Sequence, residues 1–309
     1  MRKIIIFLVF SCFILPQLAF AGAWTLPKGN IWLEETVKWM WARQDYRSDH
    51  GMARKNNDGR STTFASISKA EYGIFDWLTF LSSIEYKEGN YSENARPADW
   101  GVYDVSNSAF TSLQLGAKVR VLKEPFVLSG QIRGEWYLGG KRYTDPVPGS
   151  ATHASEDRPA LSDGNNSLEF RALAGKKFDN TFFLPMYVGG EIGYKFNNRH
   201  VCNVVPFFIE GGVWSNKWLL IKSEIDGIWC QGGTGSIKKE YAIWRIGPVF
   251  QILDIIKALR GQEIKGDSYM DSVTLAGKSL NLELQYGNTF WGKNTSADQE
   301  VVMKISGQF

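Results

Sequence analysis

Histidine and cysteine are scarce in this sequence of 309 residues, which contains three of each. Three cysteines are too few for a small scaffold held together by disulfide bonds. The sequence lacks the Cys/His spacing of a zinc site, a P-loop and a G-x-S-x-G motif. The segment GGTGS at 232–236 has the glycine content of a turn. We therefore expect no enzyme activity, no catalytic or metal-binding residue and no cofactor.

The three histidines, His50, His153 and His200, all fall in segments whose composition predicts loops. A hydrolase with a Ser–His or Asp–His pair needs these residues held in rigid geometry. His153 with Ser150 or Ser155 is the pair that could be considered. A solvated loop histidine is the favoured interpretation of each.

Excess charge of one sign and long apolar runs are also missing. The sequence has 35 Lys and Arg against 32 Asp and Glu, a net charge of +3, which gives no indication of nucleic-acid binding. Beyond residue 21, no apolar run approaches the ~20 residues of a membrane-spanning helix.

The N-terminus has the pattern of a secretory signal peptide. Arg2 and Lys3 precede the apolar run IIIFLVFSCFILP and the small residues of LAFA. Cleavage is expected after Ala21 or Ala23, and a retained anchor is the alternative. Lipoprotein cleavage at Cys12 is disfavoured because bulky Phe10 stands where a small residue is needed. We expect residues 1–21 to be the signal peptide and 22–309 to be one domain.

Strict alternation of apolar and polar residues dominates the rest of the chain. In TSLQLGAKVRVL (111–122), the leucines and valines alternate with Gln114, Lys118 and Arg120. A period of two over this length is typical of β-strands. Twelve such runs are predicted, at 30–46, 61–74, 77–88, 109–122, 126–138, 167–178, 185–197, 204–214, 218–230, 239–253, 278–290 and 298–309.

The connections between these runs alternate between short and long. FDW (75–77) and SNK (215–217) are short, whereas 47–60, 89–108 and 139–166 are long. This asymmetry is typical of a transmembrane antiparallel up-and-down β-barrel, in which strand pairing satisfies every backbone polar group. Counts of ten and fourteen strands fit the same pattern. A secreted β-sandwich is the alternative fold.

Two features of the runs bear on this all-β prediction. Segment 254–277 is long where a short turn is expected, so it holds either a short helix or a missed hairpin. Aromatic residues cluster near the ends of runs, where the interfacial girdles of a barrel would place them. These residues are Trp77, Trp100, Trp136, Trp214, Trp218, Trp229, Phe290 and Trp291.

The last run, VVMKISGQF, places Val301, Met303, Ile305 and Phe309 on one face and charged or polar residues on the other. We expect the apolar face to meet lipid and this strand to close the barrel against the first. Phe309 resembles the C-terminal signal recognised by the barrel-assembly machinery of bacterial outer membranes. The expected partners are therefore outer-membrane lipid and this machinery, with the mature protein a monomer in a Gram-negative outer membrane.

Charged residues of both signs alternate with the apolar ones and are predicted to line the lumen. A polar pore for solutes and a salt-bridge lattice that closes the lumen are the two interpretations of this charge. Twelve strands favour a narrow or partly plugged channel. The predicted lumen residues are Lys38, Glu85, Lys118, Arg120, Arg133, Glu135, Glu169, Arg171, Glu191, Lys195, Glu210, Lys222, Glu224 and Arg245, together with Glu34, Glu283 and Lys304.

The hairpin 204–230 allows a prediction of register. A turn centred near Asn216 would place Glu210 opposite Lys222 and Cys202 opposite Cys230. Opposed strand residues can be close enough for a disulfide, and the periplasm is oxidising. We therefore expect a Cys202–Cys230 disulfide.

The segments EYGIFDWLTF (71–80), GVYDVSNSAFTSLQLGAKVRVLKEP (101–125) and GGEIGYKF (189–196) resemble the family of meta-pathway phenol-degradation or transporter-like outer-membrane proteins. This resemblance implies a barrel that helps small solutes, aromatic or hydrophobic ones among them, to cross the outer membrane. The alternative function is a structural or surface scaffold whose long external loops bind a partner.

Overall fold

The computed structural model describes residues 22–55, 58–93, 103–139, 161–182, 184–198, 201–231, 238–260 and 279–309. Twelve strands form a closed antiparallel barrel, in which each strand pairs with its neighbours in the sequence. These strands are β1 (Ile31–Ala42), β4 (Arg60–Phe75), β5 (Leu78–Glu93), β6 (Tyr103–Leu122), β7 (Val127–Tyr137), β8 (Ser167–Phe182), β9 (Leu184–Asn197), β10 (Val204–Asn216), β11 (Leu219–Cys230), β12 (Glu240–Gln251), β13 (Ser279–Lys293) and β15 (Gln299–Gln308).

Three short strands stand outside the barrel wall. β2 (Gln44–Tyr46), β3 (Met52–Arg54) and β14 (Thr295–Ser296) form a separate sheet in the order β14-β2-β3. Burial raises the pKa of the nearby Asp298 carboxyl, although Lys239 and Lys55 act to lower it. A helix, α1 (Ile252–Leu259), lies between β12 and β13. Among the described residues, no helix is long and apolar enough to cross a membrane.

The barrel closes through its first and last strands, as the sequence predicts. β1 pairs with β15 from Trp32↔Gln308 to Trp41↔Gln299. Beyond this ladder, the Phe309 amide donates to the Ile31 carbonyl at 2.7 Å, and the Ile31 amide donates to the Phe309 carbonyl at 3.0 Å. The last residue therefore contributes two main-chain hydrogen bonds to the closure.

The outer surface is apolar and the inside is charged. Trp39 and Phe110 are each 55% exposed, whereas Glu224 is 3% and Glu300 is 1% exposed. A water-soluble sandwich would bury its apolar faces, so this reversal identifies a transmembrane barrel. One polar patch breaks the outer pattern: Glu35 accepts hydrogen bonds from Ser66 at 2.6 Å and Ser68 at 2.5 Å.

The structure settles the alternatives for the fold. The barrel has twelve strands, neither ten nor fourteen, and the two-sheet sandwich prediction is excluded by the closed wall. The helix alternative for 254–277 is correct as far as residue 260, although α1 begins two residues earlier than that segment. The remaining residues, 261–277, lie outside the described residues.

Several predicted boundaries were wrong. The run 30–46 divides into β1 and β2, because the chain leaves the barrel wall at Arg43. The predicted loop 89–108 is shorter, since β5 continues to Glu93 and β6 begins at Tyr103. Trp214 was placed in an interfacial girdle, yet it is buried inside the barrel against Tyr187 and Leu220. Trp100 lies outside the described residues.

Candidate functional site

Two cavities in the described part of the barrel lumen are bordered by charged side chains. The inner cavity has a volume of about 270 Å³ and lies beside Gly22, at the end of the barrel that carries the two-residue turns. This end is called the turn end below. The outer cavity has a volume of about 460 Å³ and is bordered by Leu161 and Asn165. Gln114, Arg133, Arg171 and Asp226 border both cavities, so they stand at the boundary between them.

Arginine and glutamate side chains cross this boundary as a row of ion pairs. Arg133 contacts Glu169 at 2.8 Å, and Glu169 also binds Arg171. Arg171 reaches Glu191 at 2.8 Å, so β7, β8 and β9 are linked across their lumen faces. Lys195 and Glu135 form a further pair at 2.5 Å in the outer cavity.

A second cluster surrounds Lys222 in the inner cavity. Its ammonium lies 3.2 Å from Glu210, 3.1 Å from Glu224 and 3.4 Å from Glu283. Lys304 approaches Glu283 at 2.9 Å and Glu224 at 3.6 Å. Because these groups are buried, each charge depends on its opposite charges in place of water.

Arg245 extends this cluster toward the last strand. It lies 3.1 Å from Glu224 and 3.5 Å from Asp226, and its Nε donates to Glu300. Pairs of this kind connect β11, β12 and β15 across the lumen. The resulting lattice holds the wall in a fixed shape.

Residues 22–28, called the N-terminal segment below, enter the barrel at the turn end. Lys118 donates to the Gly22 carbonyl at 3.1 Å, Ser129 donates to the Ala23 carbonyl, and the Leu26 amide donates to Thr79 at 2.8 Å. These bonds hold the segment to the inner wall. Since Gly22 also borders the inner cavity, the segment forms the wall of that cavity on the turn side.

Trp24 is the apolar centre of this segment. It packs against three buried groups: Tyr187, Trp214, Leu220 and Val249; Ala23, Val127 and Leu173; and Leu26 with Trp32. A Cβ at Gly175 would lie 2.5 Å from the Trp24 ring, so glycine is required there for this fit. An apolar core therefore fills the turn end of a lumen that is otherwise polar.

Most of the predicted lumen residues border these cavities. The inner cavity is bordered by Lys38, Lys118, Arg133, Arg171, Glu191, Glu210, Lys222, Glu224 and Arg245, with Glu34, Glu283 and Lys304. The outer cavity is bordered by Glu85, Glu135, Glu169 and Lys195, with Arg133 and Arg171 again. Arg120 borders neither of them, and its backbone amide donates to Trp77 beside a turn.

Sequence reasoning missed several lumen residues. Lys69 and Glu71 border the inner cavity, but both faces of β4 carry polar residues and obscure the alternation. Asp226 was missed although it lies two and four residues after Glu224 and Lys222, so that its side chain is expected on the same face of β11. The N-terminal segment was missed altogether because it has no periodic pattern.

The predicted register of the 204–230 hairpin was wrong by two residues. Glu210 is opposite Glu224, and Lys222 is opposite Gly212. The turn falls at Lys217–Trp218, later than predicted, and an irregularity in the pairing lies just before it, between Trp214 and Asn216. A shift of two residues keeps every side chain on its face. Lys222 consequently still reaches Glu210, but diagonally.

Cys202 and Cys230 form a disulfide, as predicted from the sequence, with Cα atoms 5.8 Å apart. Their predicted direct opposition was wrong: Cys230 is opposite Val204, and Cys202 precedes β10. The disulfide therefore joins the end of β11 to the segment that enters β10.

The histidine that the structure describes has a packing role. The His50 ring stacks on Trp291 with centroids 5.2 Å apart, and its Nδ1 lies 3.0 Å from the Gly292 carbonyl oxygen. His153 and His200 lie outside the described residues. Among the residues described, no group of three His, Cys, Asp or Glu side chains is placed to hold a metal ion.

A closed wall with an apolar exterior and a charged lumen defines a transmembrane β-barrel of the outer-membrane type. No protein-family model and no curated protein matches the sequence.

A solved outer-membrane channel shares the fold, and two other outer-membrane structures are similar at lower TM-scores. An outer membrane channel from Pseudomonas putida F1 is similar over 95% of this chain and 100% of its own, with a TM-score of 0.60 and 13% identity. The beta domain of the Bordetella autotransporter BrkA covers 91% of this chain and 99% of its own, with a TM-score of 0.45 and 9% identity. A Pseudomonas aeruginosa FadL homologue covers 93% of each chain, with a TM-score of 0.38 and 8% identity.

Proposed function

We propose that this protein is an outer-membrane channel or facilitated transporter for small solutes. The observation that supports it is the pair of polar cavities that share boundary residues inside one closed barrel. A solute that enters the outer cavity can reach the inner one by passing Arg133, Arg171 and Asp226. The name of the similar Pseudomonas putida protein, an outer membrane channel, agrees with this proposal.

The protein would reach the outer membrane by export through the inner membrane. The leader 1–21 would be removed after export, and the strands would insert into a Gram-negative outer membrane with the turn end in the periplasm. The resemblance to transporter-like outer-membrane proteins suggests small aromatic or hydrophobic solutes. Apolar side chains in the wall of the inner cavity, among them Ile67 and Leu81, suit such solutes.

A scaffold with a closed lumen is the second candidate, because ion pairs cross the lumen at many points. In that case the lattice around Lys222 and Arg245 would serve stability alone. Partner binding would then depend on the connections at the opposite end of the barrel. Transport and scaffold functions differ in one measurable property, which is conductance.

Planar-bilayer recording of the purified mature protein tests the proposal. The matched variant lacks residues 22–28, which fill the turn end in the structure. We expect a small conductance for the intact protein and a larger one for the variant. Absence of conductance from both proteins, when both are shown to be folded by their mobility on gels before and after heating, would contradict transport.

A further inference from the structure

The charges of the inner cavity are nearly all paired. Seven of its eight basic side chains lie within 4 Å of an Asp or Glu oxygen. The exception is Lys38 in the middle of β1. Within the described part of the chain, the Lys38 ammonium has neither a hydrogen bond nor an ion pair, although the Lys38 main chain is paired on both sides.

The strand register explains why Lys38 has no partner. Its neighbour on β15 is Val302, and its neighbour on β4 is Ala65. Val302 is 0% and Ala65 is 1% exposed, so both are packed into the wall and offer no side-chain acceptor. The Lys38 side chain borders the inner cavity.

The acidic groups near Lys38 already have partners. Glu300 and Asp226 are the carboxylates whose charges act on it, together with the like charges of Arg245 and Lys304. Glu300 accepts from Arg245, and Asp226 lies 3.5 Å from the same guanidinium. An ammonium in this position has unused capacity to bind an anion, because a lysine carries three donors.

We propose that Lys38 binds the carboxylate of a small amphiphilic acid in the inner cavity, so that the channel prefers anionic solutes. This inference rests on the proposed function for its transport consequence, but the binding site itself does not depend on conduction. The cavity of about 270 Å³ lies just below the roughly 300–1,000 Å³ typical of drug-sized ligands, which limits the solute to a small molecule. Ile67, which is paired with Thr36 on β1 and borders the same cavity, supplies apolar surface for the rest of the solute.

Equilibrium binding tests the site without any need for transport. The probe is 4-fluorobenzoate, followed by ¹⁹F NMR with the purified protein in detergent, and 4-fluorobenzyl alcohol is the neutral comparison. We expect saturable binding of the acid and weaker binding of the alcohol. Lys38→Met should weaken the binding of 4-fluorobenzoate by about tenfold to a hundredfold, the range expected for loss of a hydrogen bond to a charged group.

Two variants serve as controls for this binding experiment. Lys38→Arg keeps the charge and should retain most of the affinity. Lys257→Met makes the same substitution on α1, away from the cavity lining, and it should bind the acid like the original protein. Equal affinity of 4-fluorobenzoate for the original protein and Lys38→Met, or no binding to either, would overturn the inference.

Reversal potentials in a potassium chloride gradient separate this inference from the proposed function. We expect Lys38→Met to shift the preference from chloride toward potassium, and Lys38→Arg to leave it unchanged. A conducting protein whose selectivity and 4-fluorobenzoate affinity are both unaffected by Lys38→Met would retain the channel proposal and refute the Lys38 site. A protein that binds the acid through Lys38 but never conducts would refute the channel and retain the site.

Discussion

Cys202 and Cys230 are linked by a disulfide, although the residue opposite Cys230 in the strand ladder is Val204. The link therefore closes the loop end of the β10–β11 hairpin outside the regular pairing. With a sequence separation of 28 between the two cysteines, the chain-entropy model gives a stabilisation of about 3 to 4 kcal/mol.

Thiol labelling of denatured, unreduced mature protein should find no free cysteine, because Cys12 leaves with the expected leader. Cys202→Ser should lower the free energy of unfolding by up to about 3 to 4 kcal/mol. The double variant Cys202→Ser/Cys230→Ser should have nearly the same effect. Two reactive thiols in protein taken directly from the outer membrane would contradict the bond.

Lys222 is expected to matter more for stability than an exposed lysine. Lys222→Met removes the positive charge that lies between the carboxylates of Glu210, Glu224 and Glu283. Breaking a buried ion pair lowers the free energy of unfolding by about 3–5 kcal/mol. Lys257→Met is the matched control, since the Lys257 side chain is 48% exposed in its 3.1 Å pair with Asp254 and should contribute about 0–1 kcal/mol. Equilibrium unfolding in urea from lipid vesicles measures both values, and equal losses would show that the buried cluster contributes little.

Processing of the leader is expected after Ala21, which makes Gly22 the N-terminus. Oε1 of Glu210 is buried without a hydrogen-bond partner among the described residues, and a Cβ at Gly22 would lie 3.6 Å from it. Cleavage there places a new ammonium group beside this carboxylate. N-terminal sequencing of the mature protein should begin at Gly22, and Glu210→Gln should destabilise it.

A mature chain beginning at Trp24 would show this processing prediction to be wrong. It would also remove the Lys118–Gly22 and Ser129–Ala23 hydrogen bonds. The control for Glu210→Gln is the same substitution in protein that lacks residues 22–28, where no difference due to the ammonium group is expected.

Phe309 is expected to act in assembly through both its ring and its backbone. Phe309→Ser removes the aromatic ring but keeps the two hydrogen bonds to Ile31, whereas deletion of Phe309 removes all of them. We expect less folded, heat-modifiable protein in cells for Phe309→Ser, and less still for the deletion. Unchanged folded yield for both variants would argue against an assembly signal at this residue.

The topology predicts where protease should cut intact cells. Both ends of the barrel sheet, the start of β1 and the end of β15, lie at the turn end, so the connection 139–166 is expected outside the cell. Protease added to intact cells should cleave there, as it is rich in glycine and proline. Cleavage that requires permeabilisation of the outer membrane would indicate the reverse orientation.

The sequence by itself predicted an antiparallel barrel of about twelve strands, with ten to fourteen still open, and the face of most side chains. Alternation has a period of two, so parity alone assigns residues such as Glu210, Lys222 and Glu224 to the lumen. Parity survived the two-residue error in the hairpin register, since such a shift leaves the faces unchanged. The Cys202–Cys230 disulfide was predicted from direct opposition of the two residues and is confirmed although that register was wrong, because the two ends of one hairpin meet under any nearby register.

Tertiary structure decided what the lumen contains. The segment 22–28 has no periodicity, and its place inside the barrel depends on pockets that β4, β5, β7 and β8 form around Trp24 and its neighbours. Which charges form ion pairs also depends on how strands far apart in the sequence are aligned. Arg245 and Glu300, for example, are 55 residues apart in the sequence. Lys38 is left without a partner because the closed sheet places Val302 and Ala65 beside it, and a pattern along one strand cannot specify its neighbours on the others.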